Sequence, residues 1–520
     1  MCTTVLWSTG GAAKIARQMT IHDETHVPRR GCVLLAMSMC TMLYAITLTI
    51  VNVVLPQLQG ALAATPEEVS WVVTLNVIAT AVVTPATGWM VARWGHRSVI
   101  VWSIVGFTIS SLLCAVADSL LPLLVYRIGQ GAFGAPLVPL SQAIIVAVYP
   151  PERRAFAQGV FGMSVVLGPA IAPVIGGILA EEYNWRFVFI LILPLCAATL
   201  AFVLLWVHDP GERSSSNLDW GGFLMFSVVI TCAQLMMDRG ERQDWWDSFE
   251  IWGYAALIVA ALWVFLVHSA TTDKPFINPQ LFRDRNFTIG LVLVFIYGML
   301  NITPTVMIPT MLQNLMGYPD SMIGVLLAAR GAGMVVGFVI VAQIAKIDPR
   351  VGMIFGVAAI GLSGWNMALF NLEVDPWAVA LAGILQGVGS AVMWVPLSIV
   401  AFATLPVKLY PDASSIFHLL RNFGSSIFIS VSVLTVSRTG KISYAELAEN
   451  VSSFTDIARY PQLMGLWSLD SVEGLAALGS EVTRQALMVG YANSFALYAL
   501  AAFSAIPLIL MVKIKQVLPR

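Results

Sequence analysis

The sequence has very little charge. Of its 520 residues, 11% are Asp, Glu, Lys or Arg, whereas 58% are hydrophobic and the mean hydropathy is +0.81. Soluble globular proteins carry about 25% charged residues, so this composition excludes that class and predicts a polytopic membrane protein. The 28 basic and 29 acidic residues nearly cancel, and the net charge of -1 indicates no nucleic-acid partner.

The sequence also lacks the usual marks of a metal site or an enzyme. Its six cysteines form no Cys-x-x-Cys pair, and most lie in apolar runs, where we interpret them as small packing side chains. No HExxH motif, nucleophile elbow or P-loop is present, so we expect no cofactor, no metal and no enzymatic activity. A membrane sensor or enzyme is the alternative of another class, and no soluble signalling or catalytic domain supports it.

Long apolar runs make up most of the chain. About 20 helical residues cross the hydrocarbon core of a bilayer, and fourteen runs reach or approach that length. The predicted fold is therefore an all-α membrane protein with fourteen transmembrane helices. The runs lie near residues 33–56, 69–91, 99–117, 120–148, 156–180, 186–207, 220–237, 251–270, 287–312, 321–345, 351–371, 376–404, 413–437 and 489–512.

Basic residues predict the orientation of these helices. The tails 1–32 and 513–520 and every second loop are rich in Lys and Arg, whereas the short loops between them hold Arg186, Arg239 and Arg242. Cytoplasmic loops carry the excess of Lys and Arg, so both termini are predicted to be cytoplasmic. The one long loop, residues 438–488, then lies outside the cell membrane. We interpret it as a docking surface, and the alternative is a solvated excursion without a partner.

Two helices show an internal repeat. Residues 127–150 and 383–406 each contain a Gln-Gly pair, at Gln130 and Gln386, followed by Pro-Leu-Ser and a closing proline. Two related halves, 33–207 and 287–512, with two inserted helices and their linkers in 208–286, fit a transporter built from parallel repeats.

The fifth run is interrupted by helix-breaking residues. Residues 159–180 carry no charge before Glu181, but they contain Gly168, Pro169, Pro173, Gly176 and Gly177. A span of this kind indicates a helix that bends at a binding cavity, and the alternative is a plain packing helix.

Several motifs, in order, resemble those of the major facilitator superfamily, and specifically its fourteen-helix drug:proton antiporters of the EmrB/QacA type. GWMVARWGHR (88–97) looks like the motif of the loop between helices 2 and 3, through Gly88, Arg93, Gly95 and Arg97. YRIGQGAFGAPLVPLSQ (126–142) looks like the helix-4 motif, GPAIAPVIGG (168–177) the helix-5 antiporter motif, and TIVNVVLP (49–56) the helix-1 motif.

The sequence departs from these motifs at three positions. Ala92 stands near the usual acidic residue of the loop motif, and Ala172 replaces one glycine of the helix-5 motif. Thr47 occupies the position of the usual helix-1 aspartate.

The resemblance implies two six-helix bundles that rock about a central cavity. It implies a multi-pass protein of the inner membrane of a Gram-negative bacterium that exports toxic amphipathic small molecules in exchange for protons. It further implies a periplasmic adaptor protein and an outer-membrane channel as partners, besides the surrounding membrane lipid. The alternative within transport is an exporter of one endogenous acid or metabolite with weak or no proton coupling, which the absence of the helix-1 aspartate favours.

Ionisable residues at membrane depth are costly and indicate function or pairing. Three bases qualify, Arg127, Arg330 and Arg421, but no acidic residue lies deep in a predicted span. His418 lies in the inner third of the predicted span 413–437 and has a suitable reference pKa for carrying a proton. The alternative is a packed or interfacial histidine.

Arg127 is the leading candidate for substrate recognition, because a guanidinium group matches carboxylate and phosphate geometry. The alternative is a structural role in which it bonds backbone carbonyls or Gln130. Other candidates for the substrate and proton pathway are polar or aromatic side chains that we expect to face the bundle. They are Thr47, Asn52, Gln130, Gln142, Gln313, Arg330, Gln386 and Trp394. The turns at 88–97 and 348–350 are expected to latch the two halves during alternating access.

Overall fold

The computed structural model describes residues 30–208, 217–344, 348–451, 467 and 471–512. The described residues form helices and turns without strands. Most of the predicted N-terminal tail and all of the C-terminal tail lie outside these residues. The α-helices, numbered here in chain order, are α1 Arg30–Val53, α2 Leu55–Ala61, α3 Pro66–Val83, α4 Thr87–Trp94, α5 His96–Ala115, α6 Leu120–Gly134, α7 Leu137–Val148, α8 Pro151–Glu182, α9 Arg186–Ile190, α10 Ile192–Trp206, α11 Trp220–Arg239, α12 Phe249–Thr271, α13 Gln280–Arg283, α14 Arg285–Met316, α15 Asp320–Ile344, α16 Pro349–Ala368, α17 Pro376–Phe402, α18 Tyr410–Glu449 and α19 Val472–Leu510.

Thirteen helical segments in the described part of the chain are long and apolar enough to cross a membrane. The predicted all-α membrane fold is thus confirmed. The fifth predicted span lies in α8, which has 32 residues but is not among those thirteen, so the count of fourteen stays a prediction.

Local sequence signals set the helix ends. Thr65 and Glu68 form a reciprocal capping box at the start of α3, and Asp219, Asp284 and Asp375 cap later helices with their carboxylates. Gly95, with φ of 87°, makes the sharp turn between α4 and α5, a conformation that side chains with a Cβ rarely adopt.

The hydrophobic clusters show how the two halves meet. We call the end of the bundle that carries Arg93, Arg97, Arg153 and Arg154 the basic face. Near this face one large cluster contains residues of both halves, from Val33 to Val512. Towards the opposite end the described residues form two separate clusters, one within 50–189 and one within 307–495. The halves are therefore closed against each other at the basic face.

Small residues allow the closest helix contacts. Between α15 and α17, Gly333 lies against the backbone of Ile384, and Gly387 lies against the backbone of Arg330. Apolar burial drives association weakly in lipid, so close backbone packing of this kind holds membrane helices together.

The two inserted helices, α11 and α12, pack on each other beside the two halves. Ile230 of α11 lies in one cluster with Ala81 of α3 and Leu419 of α18. Nearer the end opposite the basic face, Thr74 donates a hydrogen bond of 2.5 Å to Asp238, and Ser430 donates one of 3.0 Å to the carbonyl of Met237. α11 thus contacts both halves from one side.

Two helices are much longer than a bilayer requires. α18 has 40 residues and α19 has 39, which at 1.5 Å per residue is about 60 Å each. The hydrocarbon core is about 30 Å thick, so both helices project beyond the membrane opposite the basic face. We call the projecting parts, residues 438–449 and 472–488, the outer hairpin. It occupies both ends of the segment that the sequence marks as a long loop.

Candidate functional site

Arg127 is completely buried in the N-terminal half and is bonded to protein oxygens. Its Nε donates to the carbonyl of Val72 at 2.9 Å, and its Nη1 donates to Oε1 of Gln130. Gln130 Nε2 in turn donates to the hydroxyl of Ser111 at 2.7 Å. Asn76 donates to the carbonyl of Arg127 at 2.9 Å. Arg127 therefore ties α6 to α3 and, through Gln130, to α5.

One nitrogen of Arg127 is left over. Its Nη2 is buried and has no hydrogen-bond partner within the described part of the protein. Buried polar groups of native proteins are bonded in the great majority of cases, so this nitrogen has the capacity to donate to one further acceptor.

Arg330 forms a comparable unit in the C-terminal half. Its Nε donates to Oε1 of Gln386 at 2.5 Å, and its Nη2 donates to the carbonyl and the side-chain oxygen of Asn301 at 2.6 and 2.8 Å. Gln386 Nε2 donates to the carbonyl of Leu300 and to the hydroxyl of Ser390, both at 3.1 Å.

The two units repeat one pattern across the halves. Each glutamine of the Gln-Gly repeat accepts from an arginine and donates to a serine hydroxyl. The arginines lie on different helices relative to their glutamines. Arg127 lies on the same helix as Gln130, whereas Arg330 reaches Gln386 from the neighbouring α15. In the described residues both guanidinium groups are bonded to amide and carbonyl oxygens rather than to carboxylates.

A second cluster joins the two halves near the basic face. His418 Nε2 lies 2.7 Å from Oε1 of Gln142, and the hydroxyl of Ser414 donates to the carbonyl of Pro139 at 2.8 Å. Gln142 Nε2 makes longer contacts of 3.4 Å with Gln158 and Ser398. We call Gln142, Gln158, Ser398, Ser414 and His418 the His418 cluster. Its glutamines come from the N-terminal half and its other members from the C-terminal half, and all five are buried.

Aromatic rings surround His418. The ring of Phe161 lies 6.3 Å from the imidazole and that of Trp394 lies 6.0 Å from it. Trp394 also lies 5.1 Å from the ring of Tyr297, and the Arg421 guanidinium lies 5.7 Å from its centroid. His418 Nδ1 and Trp394 Nε1 are buried without a hydrogen-bond partner in the described region.

The loop motif contacts the start of α18. Gly88 lies so close to Asp412 that a Cβ at this position would overlap the carboxylate. Arg97 donates to the carbonyl of Leu204 at 2.8 Å, while Arg93 is exposed. The second turn contains Asp348, which caps α16 through the backbone N–H of Arg350 at 2.8 Å.

The helix-5 motif lies along α1. Gly168 packs against Ile46 and the carbonyl of Met42, and Gly176 packs against Ile50. Pro169 is half-buried, and Pro173 and Gly177 also belong to α8. On the facing helix, Thr47 is buried and donates to the carbonyl of Leu43 at 2.9 Å.

The remaining candidates lie apart from these clusters. Asn52 and Gln313 are exposed near the ends of α1 and α14 that lie away from the basic face. The structure thus brings Gln142 and His418 together, but it keeps Arg127 and Arg330 in separate units. Sequence reasoning missed Gln158, Ser398, Ser414 and Asp412. A polar residue within an apolar span was the signal available for Gln158 and Ser398.

The all-helical architecture, with the inserted pair α11 and α12 beside the two halves, agrees with the comparisons to known proteins. The model of the Major Facilitator Superfamily matches residues 37–429. The chain belongs to the major facilitator superfamily. It is 30% identical over 474 residues to the multidrug export protein EmrB of Haemophilus influenzae, covering 90% of this chain and 92% of the relative.

The chain also matches a second relative and a solved structure. The chain is 26% identical over 500 residues to the fatty acid resistance protein FarB of Neisseria gonorrhoeae, covering 94% of this chain and 97% of the relative. Among solved structures, the human organic anion transporter MFSD10 superposes with a TM-score of 0.60 at 12% identity, covering 92% of this chain and 99% of that one. At 12% identity, the likeness to this solved structure shows the fold alone. The chain is therefore an EmrB-like transporter of this superfamily, as its motifs predict.

Proposed function

We propose that this chain exports amphipathic small molecules by proton-coupled alternating access. The observation that carries the proposal is the His418 cluster, a buried polar contact between the two halves at the face where they are closed. Halves that rock about a central cavity need a contact of this kind that can be made in one state and broken in the other. In this reading the structure corresponds to the state that is open away from the basic face.

The cluster supplies a group that can take up a proton. Gln142 Oε1 is an acceptor, so the Nε2 atom of His418 carries the hydrogen and Nδ1 is the free basic nitrogen. Protonation there would place a cation among aromatic rings, three residues before Arg421 on the same helix. Such a charge is costly in an apolar site, so protonation would weaken the closed contact and favour opening at the basic face.

The arginine units bear on the substrate class. Arg127 Nη2 and the absence of carboxylate partners for Arg127 and Arg330 in the described residues favour anionic or neutral amphiphiles over lipophilic cations. The relatives include a multidrug export protein and a fatty acid resistance protein, which agrees with this class.

The proposal includes a location and partners. With the basic face in the cytoplasm, as the positive-inside rule predicts, both termini are cytoplasmic and the outer hairpin lies in the periplasm of a Gram-negative cell. The hairpin exposes Ile442, Tyr444 and Leu447 on α18 and Leu475 on α19. Exposed apolar side chains on a projecting helix pair are suited to docking a periplasmic adaptor that leads to an outer-membrane channel.

One alternative keeps the transport but removes the coupling. Thr47 stands where the helix-1 aspartate is usual, and no acidic residue lies deep in a predicted span. Both facts favour an exporter of one endogenous acid that runs on the substrate gradient with weak or no use of protons.

Transport in proteoliposomes under an imposed pH gradient distinguishes the proton-coupled exporter from the uncoupled one. A lipophilic anion and a lipophilic cation are compared in the unaltered protein and in Arg127→Ala. Gradient-driven movement of the anion that Arg127→Ala abolishes supports the coupled exporter. Transport of the anion at a rate that does not change with the pH gradient supports the uncoupled exporter. If neither compound is transported under any gradient, both readings are refuted.

A further inference from the structure

A groove lies between α14, α18 and α19 towards the end opposite the basic face, and none of its lining residues belongs to the arginine units. Its volume is about 630 Å³, which falls in the range of about 300–1,000 Å³ that is typical of small-molecule sites. Its floor is apolar and well packed, because Met307, Val436 and Tyr491 are each less than 10% exposed.

The rim of the groove is polar and carries one cation. Lys441 lines it together with the hydroxyls of Ser437, Thr310 and Thr483. The threonine hydroxyls donate to carbonyls of their own helices, at 2.8 Å each. Within the described residues the Lys441 ammonium has no ion pair or hydrogen bond. The nearby Glu481 of α19 is held by Arg484 at 2.8 Å.

The groove runs across the membrane boundary. Lys441 lies 31 residues after Tyr410, which is about 46 Å along α18 at 1.5 Å per residue. A bilayer with its head groups is about 40–45 Å thick, so a bilayer whose surface at the basic face is level with Tyr410 places Lys441 just beyond the opposite head groups. Val433 and Val436 lie one to two turns closer to the hydrocarbon. An occupant thus has its apolar part in the bilayer and its polar end beside an ammonium group.

We propose that this groove binds a single-chain amphipathic carboxylate. The apolar floor would hold the chain, and Lys441 with the Ser437 hydroxyl would hold the carboxylate by charge-assisted hydrogen bonds. The groove's one cation and the absence of an acidic residue from its lining exclude a positively charged head group. The proposal does not depend on proton coupling, since none of these residues belongs to the His418 cluster or to the arginine units.

Equilibrium binding to the purified full-length chain tests the proposal. Radiolabelled dodecanoate is the probe, with dodecanol and dodecyltrimethylammonium as competitors of the same chain length. We expect Lys441→Ala to weaken dodecanoate binding about tenfold, Lys441→Arg to retain it, and neither competitor to displace it well. Arg438→Ala is the matched control, because Arg438 is exposed on the same helix and does not line the groove.

Three results would overturn the proposal. Lys441→Ala could bind dodecanoate as well as the unaltered protein, or Arg438→Ala could lose as much binding, which would indicate a general surface charge. Displacement of dodecanoate by an equal concentration of phosphatidylglycerol would indicate a two-chain lipid site instead. Val306→Trp gives an independent check, because this residue is exposed on the groove wall and a larger ring there would fill the space and reduce dodecanoate binding.

Discussion

The imidazole of His418 in the C-terminal half lies 2.7 Å from the side-chain oxygen of Gln142 in the N-terminal half. This contact crosses between the halves within the hydrophobic cluster that they share. Under the proposed alternating access, this contact between an imidazole and an amide would have to break when the halves separate at the basic face.

Replacement of His418 is expected to uncouple transport from protons. A glutamine at this position keeps a donor towards Gln142 but cannot take up a proton, so the closed contact survives while its proton sensitivity is lost. We expect His418→Gln to reduce pH-gradient-driven transport at least tenfold and to retain substrate exchange without a gradient. His268→Gln is the control, since His268 contacts Asp219 outside the interface at 2.7 Å. Undiminished response to the gradient in His418→Gln would remove this histidine from the coupling mechanism.

Gly88 and Asp412 give a prediction about the closed state. A Cβ on residue 88 would overlap the carboxylate of Asp412, so Gly88→Ala should push α4 and α18 apart at the basic face. Distances between spin labels across that face would then increase, and transport would fall. The double variant Gly88→Ala/Asp412→Gly should restore the label distances and the transport rate, because it removes the carboxylate side chain that the added Cβ would overlap.

Gly60→Ala is the matched control for this experiment. No atom lies within 4 Å of the position of its added Cβ, so the substitution should change neither distance nor transport. If the label distances in Gly88→Ala equal those in the unaltered protein, the closed state does not depend on the contact between Gly88 and Asp412.

Asp219 provides a pH-dependent contact at the start of α11. Burial alone would raise the pKa of this carboxyl, but the N–H groups of Gly222 and Phe276 and the ring of His268 outweigh burial and lower the pKa. A lowered pKa means that Asp219 stabilises the folded state above its unfolded pKa of about 3.8 and loses this effect as the pH falls through the folded value.

The corresponding experiment compares thermal unfolding of the unaltered protein, Asp219→Asn and Asp219→Ala. Asparagine still caps a helix but has no charge, so Asp219→Asn should unfold at lower temperature near pH 7, and this difference should shrink only as the pH falls below about 3.8. Asp219→Ala also loses the cap, which costs about 1 kcal/mol more at every pH. A difference in unfolding temperature between the unaltered protein and Asp219→Asn that stays constant with pH would contradict the stabilising role of the Asp219 charge.

The sequence predicted the fold well because the signals for membrane helices are local. Apolar runs of about 20 residues identify spans without knowledge of their neighbours, and thirteen of them coincide with helical segments that are long and apolar enough to cross a membrane. The Gln-Gly repeat likewise located Gln130 and Gln386, but not the serines and backbone carbonyls that bond them.

The ends of the last two spans were harder to predict for a physical reason. Residues 438–449 and 472–488 contain polar residues at many positions, so a hydropathy signal ends before the helices do. Contacts between the two helices continue there, for example between Gly440 and Leu487, and they maintain the helices beyond the membrane. The His418 cluster is also a product of tertiary structure, because Gln142 lies more than 250 residues before its partners Ser398, Ser414 and His418 in the chain.

The final prediction separates the two roles that the sequence left open for Arg127. If the residue is mainly structural, Arg127→Ala leaves the oxygen of Gln130 without its donor in a buried site, which costs about 1–3 kcal/mol for each unsatisfied group. We expect a lower unfolding temperature for Arg127→Ala, with Arg330→Ala as the matched variant in the other half. Arg127→Lys keeps the charge without the planar fork, and it should recover only part of the stability.

Binding measured on the same variants decides what the free Nη2 atom does. An anionic amphiphile that contacts Arg127 Nη2 should lose affinity in Arg127→Lys beyond any loss in Arg330→Lys, because Arg330→Lys leaves Arg127 itself unchanged. Equal losses of affinity in the two lysine variants, together with equal losses of stability, would assign both arginines to holding the helices of their own half together and would place the substrate elsewhere in the cleft.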